Sequence, residues 1–133
     1  MIVDSDHLVL MVLDEAVSVR FYSDVLGMTL EAFGAGRKAF LFGSCKTNLH
    51  VKGHEFEPKA KVPTPGALDL CFLVDCSVEN MMKRLEAASI PIEEGPVRRT
   101  GACGPLMFVY VRDPDGSLIE LSECLTAESS RPQ

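Results

Sequence analysis

The order of predicted elements repeats along the chain, and this repeat constrains the fold more than any other feature of the sequence. Each half reads as one strand, one helix and then three strands. The first half opens with a strand over residues 6–13 and a helix over 14–26, and the second with a strand over 67–74 and a helix over 77–88. We therefore predict an α+β fold made of two βαβββ modules.

A connector over residues 53–66 separates the two modules. It is rich in proline and charge and has no apolar period. Residues 1–133 are accordingly expected to form a single domain, with one module over about 3–52 and the other over about 67–124. The polar residues 126–133 are expected to fray.

The remaining elements are predicted from short apolar runs and from turn residues. In the second module, a short strand near residues 90–93 and a loop over 95–105 are expected to precede a hairpin over 106–123. The turn of this hairpin is Asp113-Pro114-Asp115-Gly116, in which proline fixes φ and glycine accepts a positive φ. The first strand of the chain is almost continuously apolar, which predicts cover on both of its faces.

Four polar side chains interrupt these apolar strands at matching places in the two modules. His7 and Asp69 lie in the first strand of each module, and His50 and Glu120 lie in the last. A carboxylate in an apolar strand is costly unless a cation or hydrogen bonds compensate it. If all four residues face away from the helices, they line one cavity. Two imidazoles with carboxylates suit a divalent ion such as Zn, Ni, Mn, Fe(II) or Co.

Other interpretations of these residues stay open at this point. Taken alone, His7 is more typical of a core histidine that donates to a backbone carbonyl, as is any isolated histidine on an apolar strand. Glu120 could pair with Arg98, Arg99 or Arg112 instead of binding a metal, and Arg99 could hold an anionic substrate group. Phe108 and Tyr110 share one face of their strand and are candidates for lining the cavity.

Charge and cysteine content exclude several classes of function. The net charge is −6, from 13 basic and 19 acidic residues, which disfavours nucleic acid and anionic membranes as partners. The longest apolar run is too short to span a membrane, so a cytoplasmic location is expected. The five cysteines include no C-x-x-C pair, which argues against a disulfide framework. Cys71 and Cys124 are interpreted as small buried residues, and Cys103 as the thiol to test for reactivity.

Several short segments, in this order and spacing, resemble the vicinal oxygen chelate superfamily of glyoxalases, bleomycin-resistance proteins and extradiol dioxygenases. The segments are DHLVL at 6–10, FYSDVLG at 21–27, NLH at 48–50, FEPKA at 56–60, DPDG at 113–116 and IEL at 119–121. They are most similar to those of small glyoxalase-domain-containing proteins. The resemblance implies an incomplete barrel around one divalent metal, with His7, His50, Asp69 and Glu120 as ligands and Glu120 also catalytic. Asp69 departs from the superfamily pattern, in which histidine is common at that place.

The same resemblance implies a metal-dependent enzyme, either a glyoxalase-like lyase or isomerase or a dioxygenase, that acts on a small substrate with adjacent oxygens. One alternative is an Fe(II) extradiol dioxygenase that cleaves rings of the catechol or biphenyl-diol type. A second alternative is a non-catalytic binder of small molecules, like the bleomycin-resistance proteins. Small proteins of this superfamily usually pair, so a homodimer is expected.

Overall fold

The computed structural model describes residues 1–125, which fall into two compact units. The first unit comprises residues 1–68 with 114–116, and the second comprises residues 69–113 with those from 117 onward. Each unit contains one four-stranded mixed sheet, and the predicted βαβββ order is confirmed in both. The segment 126–133, which was predicted to fray, lies outside the described residues.

The first unit places one parallel strand pair at the edge of its sheet. Its strand order is β1-β4-β3-β2, with β1 parallel to β4 and the other pairs antiparallel. Asp14 caps the helix by accepting a hydrogen bond from the Val17 amide at 3.0 Å, and the helix continues as a π-helix. The elements are β1 (His7–Val12), α1 (Glu15–Val19), the π-helix (Arg20–Val25), β2 (Thr29–Phe33), β3 (Arg37–Phe42) and β4 (Cys45–Val51).

Alternation along the strands gives this sheet one apolar face and one mixed face. Leu10, Val12 and Phe40 are fully buried on the apolar face, where the ring of Tyr22 from the π-helix lies 5.3 Å from that of Phe40. His50 lies opposite Met11 in the register of β1 and β4, and His7 is four residues before Met11. Both histidines therefore project from the other face of the sheet. The helical segment therefore covers one face only, and the predicted polar residues project from the other.

The second unit repeats this topology, with the strand order β5-β8-β7-β6 and β5 parallel to β8. Ile119 and Leu121 are buried on the face that contacts the helix, together with Leu85 of that helix. The turn before β8 forms as predicted, with Gly116 at a φ of +102°. The elements are β5 (Asp69–Leu73), α2 (Val78–Ala87), β6 (Glu94–Gly101), β7 (Gly104–Arg112) and β8 (Leu118–Cys124).

Three predictions about the strands are wrong. No strand forms over residues 90–93, where a short one was predicted. The segment predicted as a loop over 95–105 is mostly strand: β6 begins at Glu94 and pairs with β7 in a tight hairpin. Its arginines and glycines interrupt the alternation of apolar and polar residues that would predict a strand. An edge strand tolerates such residues because it is hydrogen-bonded to one neighbouring strand only. The expected cover on both faces of β1 is also wrong, because Leu8 and Val9 are each 39% exposed. In addition, no helix among the described residues is long and apolar enough to cross a bilayer.

Candidate metal centre and binding cavities

The second unit brings Asp69 and Glu120 together. In the parallel pair β5 and β8, Asp69 lies opposite Leu118 and Cys71 lies opposite Glu120, so the two acids are diagonal neighbours on one face. Their carboxyl groups share a hydrogen bond, and this bond is the largest cause that raises the pKa of Glu120 to about 7, with burial second. Two of the four predicted metal ligands therefore form a pair that holds a proton near neutral pH.

Glu120 lies on the wall of a cavity of about 530 Å³ within the second unit. The three side chains that the sequence singles out for substrate contact, Arg99, Phe108 and Tyr110, line the same cavity. Tyr110 is directly opposite Glu120 in the register of β7 and β8, and its ring lies 5.9 Å from that of Phe108. The cavity thus combines an acidic pair, aromatic rings and one guanidinium group.

The three arginines considered as partners of Glu120 have different surroundings. Arg99 shares the cavity, and its positive charge acts to lower the pKa of Glu120, against the effect of Asp69. Arg112 is held by Glu93 through two hydrogen bonds of 2.8 and 3.0 Å. Arg98 is adjacent to Arg99 in β6, where it pairs with Met107, and so projects from the face of the sheet opposite Arg99. Arg99 is therefore the cation that faces the acidic pair.

Three cysteines, Cys71, Cys103 and Cys124, also line this cavity. The prediction that Cys71 is buried is wrong, since it is exposed on the face that carries Asp69. Its sulfur lies 3.3 Å from the hydroxyl oxygen of Ser122. Desolvation nevertheless raises the pKa of the Cys71 thiol, so the thiol form predominates at neutral pH.

His7 lies at the start of β1 in the first unit, and its side chain is 43% exposed. The alternative interpretation, a buried core histidine bonded to a backbone carbonyl, is therefore wrong. Its Nδ1 donates to the Asp6 carboxylate at 2.8 Å, and this bond lowers the pKa of Asp6. A carboxylate on one ring nitrogen fixes the tautomer and leaves Nε2 as a ligand for a metal.

His50 lies on the same face of the first unit but far from His7 along the strands. Met11 is opposite His50 and His7 is opposite Lys46, an offset of four residues or about 13 Å at the usual strand rise. This offset separates the backbones of the two histidines, and the ligand role that the resemblance implies for His50 stays a prediction. Burial and the charge of Arg37 lower the pKa of His50, and its ring lies edge-on to Phe56 at 5.8 Å.

The register also corrects the alignment of the internal repeat. In the second unit, Glu120 lies opposite Cys71, which is two residues after Asp69. In the first unit, Asn48 lies opposite Val9, which is two residues after His7. Asn48, and not His50, is thus the counterpart of Glu120. Among residues 1–125, no group of three or more His, Cys, Asp or Glu side chains is close enough to hold a metal ion.

The residues of the acidic pair fit a divalent metal. Two carboxyl groups joined by a hydrogen bond place oxygen ligands suited to such an ion side by side on one face of the sheet. Both residues belong to the second unit, so the fit needs no residue of the first.

Comparison with known proteins identifies the family. The sequence model of the Glyoxalase/Bleomycin resistance protein/Dioxygenase superfamily matches residues 5–121. The chain belongs to this superfamily. Virulence protein STM3117 of Salmonella typhimurium, a relative, is 51% identical over 124 residues, which cover 92% of this chain and 86% of that protein. Glyoxalase domain-containing protein RDO1 of Mycosarcoma maydis is 55% identical over 117 residues, which cover 88% of this chain and 66% of RDO1.

Solved structures share the superfamily fold. The crystal structure of STM3117 has a TM-score of 0.90 and 50% identity, and the match covers 94% of this chain and 100% of that one. Lactoylglutathione lyase from Agrobacterium tumefaciens has a TM-score of 0.65 and 26% identity, with 90% and 92% of the two chains covered. The resemblance to this superfamily that the sequence motifs indicate is thereby confirmed.

Sequence reasoning missed two residues of this superfamily member that the structure brings to its candidate sites. Asp6 orients His7, and the adjacent Asp-His pair is a signal that could have found it. Arg37 begins β3 and reaches the face that carries His50. Arg37 gives no signal in the sequence, because only the pairing of β3 with β4 brings it there.

Proposed function

We propose that the protein is a divalent-metal-dependent enzyme of the vicinal oxygen chelate type that acts on a small substrate with adjacent oxygens. The observation that carries this proposal is the hydrogen-bonded pair of Asp69 and Glu120 on the wall of a cavity. Two carboxyl groups this close retain a proton unless a cation replaces it. The proposed ligands of one ion, of Zn, Ni, Mn, Fe(II) or Co, are Asp69 and Glu120, and the ligand role that the resemblance implies for His7 stays a prediction.

When bound, such an ion supplies Lewis acidity toward two adjacent oxygens of a substrate. The other steps fall to the side chains of the chain itself. The Glu120 carboxyl lies on the cavity wall opposite Tyr110 and is the group placed to accept a proton from a bound substrate and return it. Asp69 is hydrogen-bonded to Glu120 and so fixes the position of the Glu120 carboxyl.

The remaining cavity residues are proposed to bind and orient the substrate. Arg99 can hold an anionic group by two parallel hydrogen bonds, because its present contact with Glu94, at 3.6 Å, is long and exposed. Phe108 and Tyr110 offer ring faces to an apolar part of the substrate. A substrate with an apolar body and an anionic end is consistent with this lining.

The type of reaction is proposed to be that of a lyase or isomerase. The support for this choice is the structural similarity to a protein named lactoylglutathione lyase. The runner-up is ring cleavage by an Fe(II) dioxygenase. Both reactions can be tested directly, because a hemithioacetal is turned over without oxygen, whereas cleavage of a catechol consumes it.

The deciding experiment uses protein stripped of metal with a chelator and then loaded with each candidate ion in turn. We expect turnover of a hemithioacetal only after loading, and its loss in Glu120→Gln. Glu79→Gln removes the same charge from the exposed first turn of α2 and should leave turnover unchanged. Turnover that survives the chelator, or that persists in Glu120→Gln, would contradict the proposal. Tight binding of small aromatic molecules without metal or turnover would favour a non-catalytic binder.

A further inference from the structure

A second cavity, of about 470 Å³, lies wholly within the first unit. It forms on the sheet face opposite the π-helix, where the connector that begins after β4 folds across strands β1, β3 and β4. The connector contributes Phe56 and the segment from Glu57 to Ala60 to its wall. Every lining residue, His7 included, belongs to the first unit, so this cavity contains neither Asp69 nor Glu120, the proposed metal ligands.

Two polar side chains in this cavity lack hydrogen-bond partners. The Nδ1 atom of His50 and the Oδ1 atom of Asn48 are both buried and unpaired in the described chain. His50 as a whole is only 7% exposed. Native proteins satisfy nearly all buried polar atoms, so an unpaired one indicates that a ligand or water completes it. Two such atoms on adjacent alternate residues of β4 therefore mark a polar end of the cavity.

A guanidinium group lies beside these two atoms. Continuing the register of β3 and β4 by two residues beyond the pair Ala39 and Asn48 sets Arg37 opposite His50. The guanidinium carbon of Arg37 lies 4.5 Å from the ring centroid of Phe56, which holds the planar group against the connector. Within residues 1–125, Arg37 makes no ion pair.

The acids near this cavity do not cancel the charge of Arg37. Glu57 lines the wall but forms an ion pair with Lys59, which lines it too. Glu55 accepts a hydrogen bond from the Gly53 amide at 3.1 Å. With the histidines neutral, the lining side chains therefore carry one positive charge in excess, and that charge belongs to Arg37.

We propose that this cavity binds a small α-hydroxy carboxylate. The planar guanidinium of Arg37 matches a carboxylate through two parallel hydrogen bonds. A hydroxyl group next to the carboxylate donates to Oδ1 of Asn48 and completes the partners of His50 Nδ1. Because Phe56 already orients Arg37, little conformational freedom is lost when the anion binds.

The test is a titration followed by the imidazole signals in the NMR spectrum of chelator-treated protein. The chain has only three histidines, and His7 and His54 are exposed whereas His50 is buried. We expect glycolate to shift the His50 signal to saturation. Acetate lacks the hydroxyl and glycolamide lacks the charge, so each should bind at least about tenfold more weakly.

Matched variants complete the experiment. Arg37→Met keeps a side chain that can pack on Phe56 but removes the charge, and should weaken glycolate binding by about tenfold or more. Arg37→Lys keeps the charge without the planar fork and should weaken it less. Arg20→Met removes a charge at an exposed residue of the π-helix and should change the affinity less than about twofold.

Two results would overturn the inference. If glycolate leaves the His50 signal unmoved, or binds Arg37→Met as tightly as the unaltered protein, water alone completes the unpaired atoms. The same spectra show whether each variant is folded. The absence of metal during the titration separates this result from the proposed metal chemistry, which can fail while glycolate binding succeeds.

Discussion

The proton shared by Glu120 and Asp69 is the clearest chemical property of a single residue pair in this protein. It exists because the register of β5 and β8 makes two acids diagonal neighbours, with Arg99 as the cation that faces them. A metal and a proton compete for the same oxygens. The ionisation of Glu120 therefore reports on the site even before a metal is added.

Metal-free protein is expected to lose stability as the pH rises from about 4.5 to about 7. The carboxyl of Glu120 has a pKa of about 7 when folded, against an ordinary value of 4.5, so the folded state binds this proton more tightly. Its stabilising effect is complete below the lower value and is lost once the pH passes the higher one. Urea unfolding at a series of pH values measures this change.

The matched variants for that measurement are Asp69→Asn and Asp75→Asn. Asparagine at position 69 can donate to the ionised Glu120 and carries no charge, so the loss of stability over this pH range should shrink. Asp75 is an exposed acid after β5, and its replacement should keep the pH profile of the unaltered protein. Superimposable profiles for the unaltered protein and Asp69→Asn would contradict the shared proton.

Sequence reasoning at the residue scale succeeded where alternation alone decides the outcome. The two-residue period of a strand puts Glu120 on the face opposite Ile119 and Leu121, and the structure agrees. The same reasoning could not place His50 or Asn48, because the offset between two parallel strands is set by tertiary pairing. A shift of two residues in the pairing keeps each side chain on the same face of the sheet but changes the residue that lies opposite it.

At the scale of single elements, helix α2 is tied to its sheet at its first turn. Ser77 accepts a hydrogen bond from the Asn80 amide at 3.1 Å, and Glu123 of β8 accepts one from the Val78 amide at 3.0 Å. These two acceptors satisfy amides that a helix leaves unpaired at its start. The sequence predicted the serine cap, but the strand carboxylate required the tertiary structure.

Ser77→Ala is expected to lower the free energy of unfolding by about 1 kcal/mol, because it removes the side-chain cap of α2. Ser44→Ala makes the same change at an exposed position in the turn between β3 and β4, and should cost less than about 0.5 kcal/mol. Urea denaturation at constant pH compares the two variants. Equal losses would show that the cap contributes nothing measurable.

Strand β6 shows why elements at a sheet edge escape detection. Its residues include two glycines, a proline and two arginines, and several are exposed. An edge strand can carry polar side chains because it has one hydrogen-bonded neighbour, so no apolar alternation marks it. The pairing with β7 that forms it also brings Arg99 to the cavity.

At the scale of the whole molecule, the repeat of strand, helix and three strands was predictable from the order of apolar runs. The sequence did not predict which apolar side chains of the edge strands stay accessible. Strands β1 and β2 are the two edge strands of the first unit, and apolar side chains on them stay accessible, with Leu8 39% exposed and Leu30 38% exposed. Exposed apolar groups on strand edges are typical of surfaces that another chain covers.

A homodimer is therefore the expected state in solution. With a mass of 14.5 kDa per chain, sedimentation equilibrium should give about twice that mass, or about 29 kDa, at micromolar concentration. A mass of one chain at that concentration would contradict this prediction.

The central claim is that Asp69 and Glu120 bind a divalent metal, and the most direct test is the metal content of protein loaded with each candidate ion and freed of excess. We predict one ion per chain in the unaltered protein and in His50→Gln, with a large loss in Glu120→Gln and in Asp69→Asn. Retention of the ion in Glu120→Gln, or no uptake by the unaltered protein, would contradict the account.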